Sequence, residues 1–201
     1  MTGTRLRIAL LAPVAAASLA GCGINSIPTA EEEAKARWAD VQNQYQRRAD
    51  LIPNLVASVQ GAAAQERNVL REVTEARANA TRIQISPEQL RDPEAMRSFS
   101  EAQARLTSAI IPLQRLQEAY PDLKTNQNFL TLQSQLEGTE NRITIARTDY
   151  NQAVQAYNTR IRTFPDVIGA KIFYGAQPMV PFQATTPGAE TAPKVDFGNG
   201  K

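Results

Sequence analysis

The sequence has no histidine and a single cysteine. Those two shortages remove much chemistry. Ser-His-Asp and Cys-His catalytic groups are excluded. So are imidazole-bound zinc, histidine-ligated haem and a di-iron centre that draws a Glu-x-x-His from each of two helices. A disulfide would need a second chain. An excess of charge of one sign is also missing, with 22 basic against 20 acidic residues. Nucleic-acid binders carry a strongly basic face, so no nucleic-acid partner is expected. Aromatic residues make up only 6%.

What is abundant is Ala, Gln, Arg and Glu, mostly strong helix formers, so the composition points to an all-α protein. The length of 201 residues suits one domain plus extensions.

The N-terminus, MTGTRLRIALLAPVAAASLAGC, reads as an address. Arg5 and Arg7 form a positive n-region, and residues 8–19 form an apolar h-region of secretory-signal length. Leu19-Ala20-Gly21-Cys22 then looks like a bacterial lipobox, with the Cys22 thiol as the acceptor for a diacylglycerol. The alternative is an uncleaved signal anchor. Residues 1–21 are thus expected to be a signal peptide and 22–30 a lipidated tether. Acyl chains contribute about 0.8 kcal/mol per buried CH₂, so two or three hold a protein firmly on a bilayer. Gly23 stands where an inner-membrane retention Asp would be. The expected location is the cell envelope, facing the periplasm or the exterior, with the outer membrane favoured in a cell that has one. Cleavage before Cys22 removes two basic residues and no acid, leaving twenty of each.

Three long heptad seams follow. The first runs Trp38, Val41, Tyr45, Arg48, Ile52, Leu55, Val59, Ala62, Glu66, Val69, Val73, Ala76 and Ala80, alternating steps of three and four. The second runs from Phe99 to Tyr120, after two helix-start signals at Ser86-Pro87-Glu88-Gln89 and Asp92-Pro93-Glu94. The third runs from Phe129 to Tyr157. The pattern predicts an elongated up-and-down antiparallel helical bundle of three long helices over 31–175. The first helix is kinked at Pro53, or broken there to give four, and FPDVIGAKIFYG adds a short C-terminal helix. Residues 176–201, rich in Pro, Gly, Thr and Ala, read as a mostly disordered tail in which Phe182 and 195–197 can dock.

Antiparallel alignment of the seams brings Glu66, Arg105, Glu140, Asn141 and Arg142 to one level. They are expected to form a structural polar layer in which Glu66 pairs with Arg142 or Arg105, since a seam carboxylate is costly unless paired. Arg48, Asp50, Pro53 and Asp122 are expected to cluster at a helix end. Glu137 and Glu140 lie on one face but read as a solvated charged face rather than an acid–base pair or metal site. Tyr150-Asn151 and Tyr157-Asn158 repeat at seven residues. They read as core tyrosines with flanking surface asparagines, the alternative being a ligand-binding ladder.

Several stretches carry a family resemblance: RRADLIPNLVASVQG, EVTEARA, YPDLKTNQNFLTLQSQLEGTENRI, ARTDYNQAVQAYNTRIRTFP and APKVDF. Together they resemble the LemA family of bacterial envelope proteins over roughly 30–197. The resemblance implies a membrane-associated helical bundle, with no catalytic site and no cofactor. Family members often begin with a transmembrane helix, where this chain has a lipobox. The function expected is a non-enzymatic, lipid-anchored scaffold or adaptor. Its partners would be the bilayer, through acylated Cys22, and an unidentified envelope protein. The alternative is a small-ligand binding or sensing module in the polar layer.

Overall fold

The computed structural model describes residues 25–183. Helices take 82% of them and no strand occurs among them. The long helices are α1 (Ser26–Gln60), α2 (Arg67–Arg82), α3 (Pro93–Ala119) and α4 (Gln127–Arg160). A 3₁₀ turn (Pro87–Arg91) leads into α3, and a short helix (Pro121–Thr125) joins α3 to α4. Beyond α4 come a helical turn at Asp166–Gly169 and a π-helical turn at Ala170–Tyr174.

The starts follow the local sequence. The Ser86–Gln89 capping box closes the 3₁₀ turn. Asp92 then caps α3 by accepting from the Glu94 N–H. Asn126 caps α4, its Oδ1 accepting from the N–H groups of Asn128 and Phe129. Asp122 lies in the first turn of the connecting helix.

The first seam differs from expectation in where it breaks. α1 passes through Pro53 without interruption and ends at Gly61. The chain turns over 61–66 and returns as α2, giving a fourth long helix by a break away from Pro53. Length supplies the reason. At ~1.5 Å per residue, α1 and α4 both span about 50 Å. A helix continued to Ala80 would project about 30 Å further with Val69, Val73, Ala76 and Ala80 uncovered. Folding back buries Leu70, Val73 and Ala80.

Pro53 itself is exposed, and its ring removes the N–H that would reach the Ala49 carbonyl. Arg77 of α2 supplies the replacement, with Nε donating to the Ala49 oxygen at 2.7 Å.

α1 and α4 pair antiparallel. Ser26 meets Arg160, Trp38 meets Tyr150, and Arg48 meets Glu140. α2 and α3 do the same, through Glu66 with Tyr120 and Ala80 with Gln103. The apolar interior falls into two clusters. One gathers Trp38, Tyr45, Phe99, Tyr150, Tyr157 and Phe182. The other gathers Ile52, Leu55, Val73, Leu106, Phe129 and Leu136.

Candidate functional site

Between the two clusters lies a polar layer. Arg48 of α1, Gln103 of α3 and Thr139 of α4 are all buried there, and Arg48 is only 1% exposed. Arg48 Nη1 donates to Glu140 Oε1 and to Thr107 Oγ1, each at 2.8 Å. Its Nη2 donates to Gln103 Oε1 at 2.7 Å and to the Gln103 carbonyl at 3.2 Å. Gln103 in turn donates to the Ala80 carbonyl, which joins α2 to the layer. The guanidinium also sits 5.0 Å from the centre of the Tyr45 ring. A buried guanidinium needs such an array, because desolvation costs several kcal/mol unless charge and hydrogen bonds are matched. Burial holds the Tyr45 hydroxyl above its ordinary pKa, so the layer keeps a neutral phenol beside its cation.

A buried polar layer is present, but it is not the one expected from the sequence. Of the expected members only Glu140 takes part. Glu66 precedes α2 at the far end, without a side-chain capping bond, and accepts from the Tyr120 hydroxyl at 2.8 Å. Arg105, Asn141 and Arg142 are exposed. The displacement follows from the turn at 61–66, which carries Glu66 away from the mid-level that a continuous helix would give it. The expected cluster at a helix end is likewise dispersed. Arg48 sits in mid-structure, Asp50 is exposed and accepts from Gln46, Pro53 faces outward, and Asp122 is exposed in the α3–α4 connection. Glu137 is exposed and accepts from Gln133.

The second feature is a groove occupied by the chain itself. After Gly175, whose φ of 54° permits the reversal, residues 176–183 run back along α4 without helical structure. Asn158 takes both backbone groups of Met179, accepting from its N–H at 2.9 Å and donating to its carbonyl at 2.8 Å. One heptad earlier, Asn151 does the same for Phe182, at 2.7 and 3.0 Å. The hydroxyls of Tyr157 and Tyr150 donate to the carbonyls of Gln177 and Val180. Val180 N–H reaches the Leu90 carbonyl, and Ser100 Oγ donates to that of Gln183.

Two repeats match here. Seven residues of α-helix advance about 10.5 Å. Three residues of extended or polyproline chain advance about 9–10 Å. Pro178 and Pro181 carry the three-residue period, stiffen the segment and supply no N–H of their own. The period also puts Met179 and Phe182 on one buried face. Phe182 lies against Trp38, Tyr45 and Phe99, and the Arg147 guanidinium covers its ring at 4.1 Å.

Residues 176–183 are thus held against α4, contrary to the expectation of a mostly disordered segment from 176, and Phe182 docks. Residues 184–201 lie outside the described residues. The asparagines of the Tyr-Asn repeat are half-buried binding groups rather than surface residues, while the tyrosines lie in the core. Gln103, Thr107, Arg147 and Ser100 were not legible as partners. The heptad Tyr-Asn repeat and the Pro-x-x-Pro spacing were the available signals.

Cys22 and the segment before it lie outside the described residues. Among the described residues no helix is long and apolar enough to cross a membrane, and no group of three acidic residues or cysteines is placed to hold a metal ion.

An all-helical chain with a buried arginine layer and a self-bound C-terminal segment is the class these features define. The LemA family model matches residues 37–197, most of the chain, and the protein belongs to the LemA family. No curated protein sequence matches it.

Proposed function

We propose that the protein is a non-enzymatic scaffold of the bacterial envelope, held on a membrane by lipidated Cys22 and acting through protein–protein contacts. The antiparallel pairings of α1 with α4 and α2 with α3 support an elongated up-and-down bundle as its frame. The observation that carries the reading is the use made of the polar groups. Both Nη groups of Arg48 are committed to internal bonds, and the α4 ladder holds peptide backbone rather than a small molecule. A face that reads backbone is suited to gripping extended protein segments.

The outer face of α4 is the surface to probe, since Ile145 is 61% exposed there. A photo-crosslinking amino acid at Ile145 of the full chain in growing cells should yield one discrete protein adduct. Adducts no more frequent than those of an unrelated tethered helical protein would contradict the scaffold reading. Acyl-chain labelling that persists in Cys22→Ser would contradict the anchor.

A second reading, small-ligand binding, draws on an opening of about 250 Å³ beside the layer, lined by Gln42, Tyr45, Gln46, Phe99 and Gln103 among others. Ligand pockets run about 300–1,000 Å³, so the opening falls just below that range. A metabolite-induced rise in Tm that Gln42→Ala abolishes would favour this reading over the scaffold.

A further inference from the structure

Large apolar side chains are left in solvent chiefly at one end of the molecule. Phe164 is 80% exposed, Ile172 69% and Phe173 66%, with Ile168 and Tyr174 beside them in sequence. The helical turns that carry them are fixed rather than loose. Gly169 and Ala170 are buried, and a Cβ at Gly169 would stand 3.6 Å from Ile27 Cδ1. Ser26 Oγ donates to Asp166 at 2.9 Å. The turn thus packs on the first turn of α1 and holds its apolar residues outward. Soluble proteins rarely expose such a concentration unless the surface meets a partner.

The position of α1 identifies the partner. Ser26 begins the helix at this same end, and Cys22 precedes it by four residues, at most about 14 Å of extended chain. Any bilayer holding that cysteine, or the apolar residues 8–19, is within reach of the exposed end. The charges fit as well. Arg160, Arg162 and Lys171 are exposed at this end, against Asp166, which is bonded to Ser26. Glu31, Glu32 and Glu33 lie more than a turn further along α1, where Lys35 and Arg37 pair with them. Aromatic and aliphatic side chains with adjacent cations are the chemistry of a membrane interface.

We propose that this end is a second membrane contact: Phe164, Ile168, Ile172, Phe173 and Tyr174 enter the bilayer interface, and Arg160, Arg162 and Lys171 meet lipid phosphates. The proposal rests on the reading that the N-terminal segment attaches the chain to a membrane. The contact sets the molecule on end, with the α1–α2 turn and the α3–α4 connection pointing away from the bilayer.

The test uses the full chain, purified from membranes and reconstituted in phosphatidylcholine–phosphatidylglycerol vesicles with brominated acyl chains. Trp38, buried and common to all samples, is the background. Phe173→Trp, with Ile172→Trp as a second variant in case one misfolds, should be quenched at least threefold more than Ile145→Trp. Equal quenching in a chain that sediments with vesicles overturns this contact and leaves the anchor standing. Selective quenching that survives Cys22→Ser supports the contact as one that holds without the acyl chain. A chain that never sediments overturns both. An indole shielded from acrylamide but not quenched by bromine means that protein covers the surface, a second copy or the leader, and overturns the lipid assignment.

Discussion

Arg77 donates its Nε–H to the carbonyl oxygen of Ala49 across the α1–α2 interface, at the acceptor that Pro53 leaves without its helical partner. A proline inside a helix forfeits one hydrogen bond, and here a side chain from the neighbouring helix restores it.

That pairing predicts coupling. Arg77→Ala alone should destabilise the fold by about 1.5–3 kcal/mol, the range for a hydrogen bond made by a charged group. In a Pro53→Ala background the residue-53 N–H can reach Ala49, and the same substitution should cost about 1 kcal/mol less. Urea unfolding of the four proteins gives the cycle. Additive effects would mean that Arg77 is not compensating for the proline.

The arginine layer predicts an asymmetry between its partners. Glu140→Ala leaves the Arg48 guanidinium buried without its counter-charge and should cost about 2–4 kcal/mol, with Glu140's partial exposure softening the loss. Arg48→Met removes the buried charge with similar volume and frees a half-exposed carboxylate to meet water. It should cost clearly less, as buried pairs replaced by apolar groups often do. Denaturant midpoints order the two variants, and the reverse order would remove Arg48 from the centre of the layer.

Alkaline pH should unfold the protein cooperatively. Burial raises the Tyr45 and Tyr150 hydroxyls above their ordinary pKa of 10.0, and the bond to Glu66 raises Tyr120. Groups with raised folded pKa values contribute stability that is present below the unfolded value. That stability is lost as pH rises through the folded values. The free energy of unfolding should therefore fall above about pH 10. Phenolate absorbance for the buried Tyr45 and Tyr150 should appear together with loss of helical circular dichroism, not before it.

How far the sequence could be read depended on whether a feature was local or relational. The seams predicted the buried positions well: Trp38, Ile52, Leu106, Leu136 and Tyr157 are all interior. The caps at Ser86 and Asp92 were equally legible, because they depend on three or four neighbouring residues. The turn at 61–66 was not. The heptad keeps its phase across it, Ala62 to Ala64 are good helix formers, and only the finite length of α3 and α4 makes a longer helix unfavourable. That one turn misplaced Glu66 and so misassigned the polar layer. The order of residues 176–183 is hidden in the sequence because Pro-rich composition describes a chain with nothing to bind, and the binder lies about twenty to thirty residues away on α4.

The central claim is that α4 reads the backbone of the C-terminal segment through its heptad of asparagines. Amide hydrogen exchange of the full chain, followed residue by residue, tests it most directly. Met179 and Phe182 N–H groups donate to Asn158 and Asn151, and Val180 N–H donates to Leu90. All three should exchange at least a hundredfold more slowly than an unstructured chain, a protection of about 2.8 kcal/mol at ~1.4 kcal/mol per tenfold. In Asn151→Ala the Phe182 amide should lose most of that protection while the amides of α1 keep theirs. Exchange of all three at the unstructured rate in the unsubstituted protein would contradict the account.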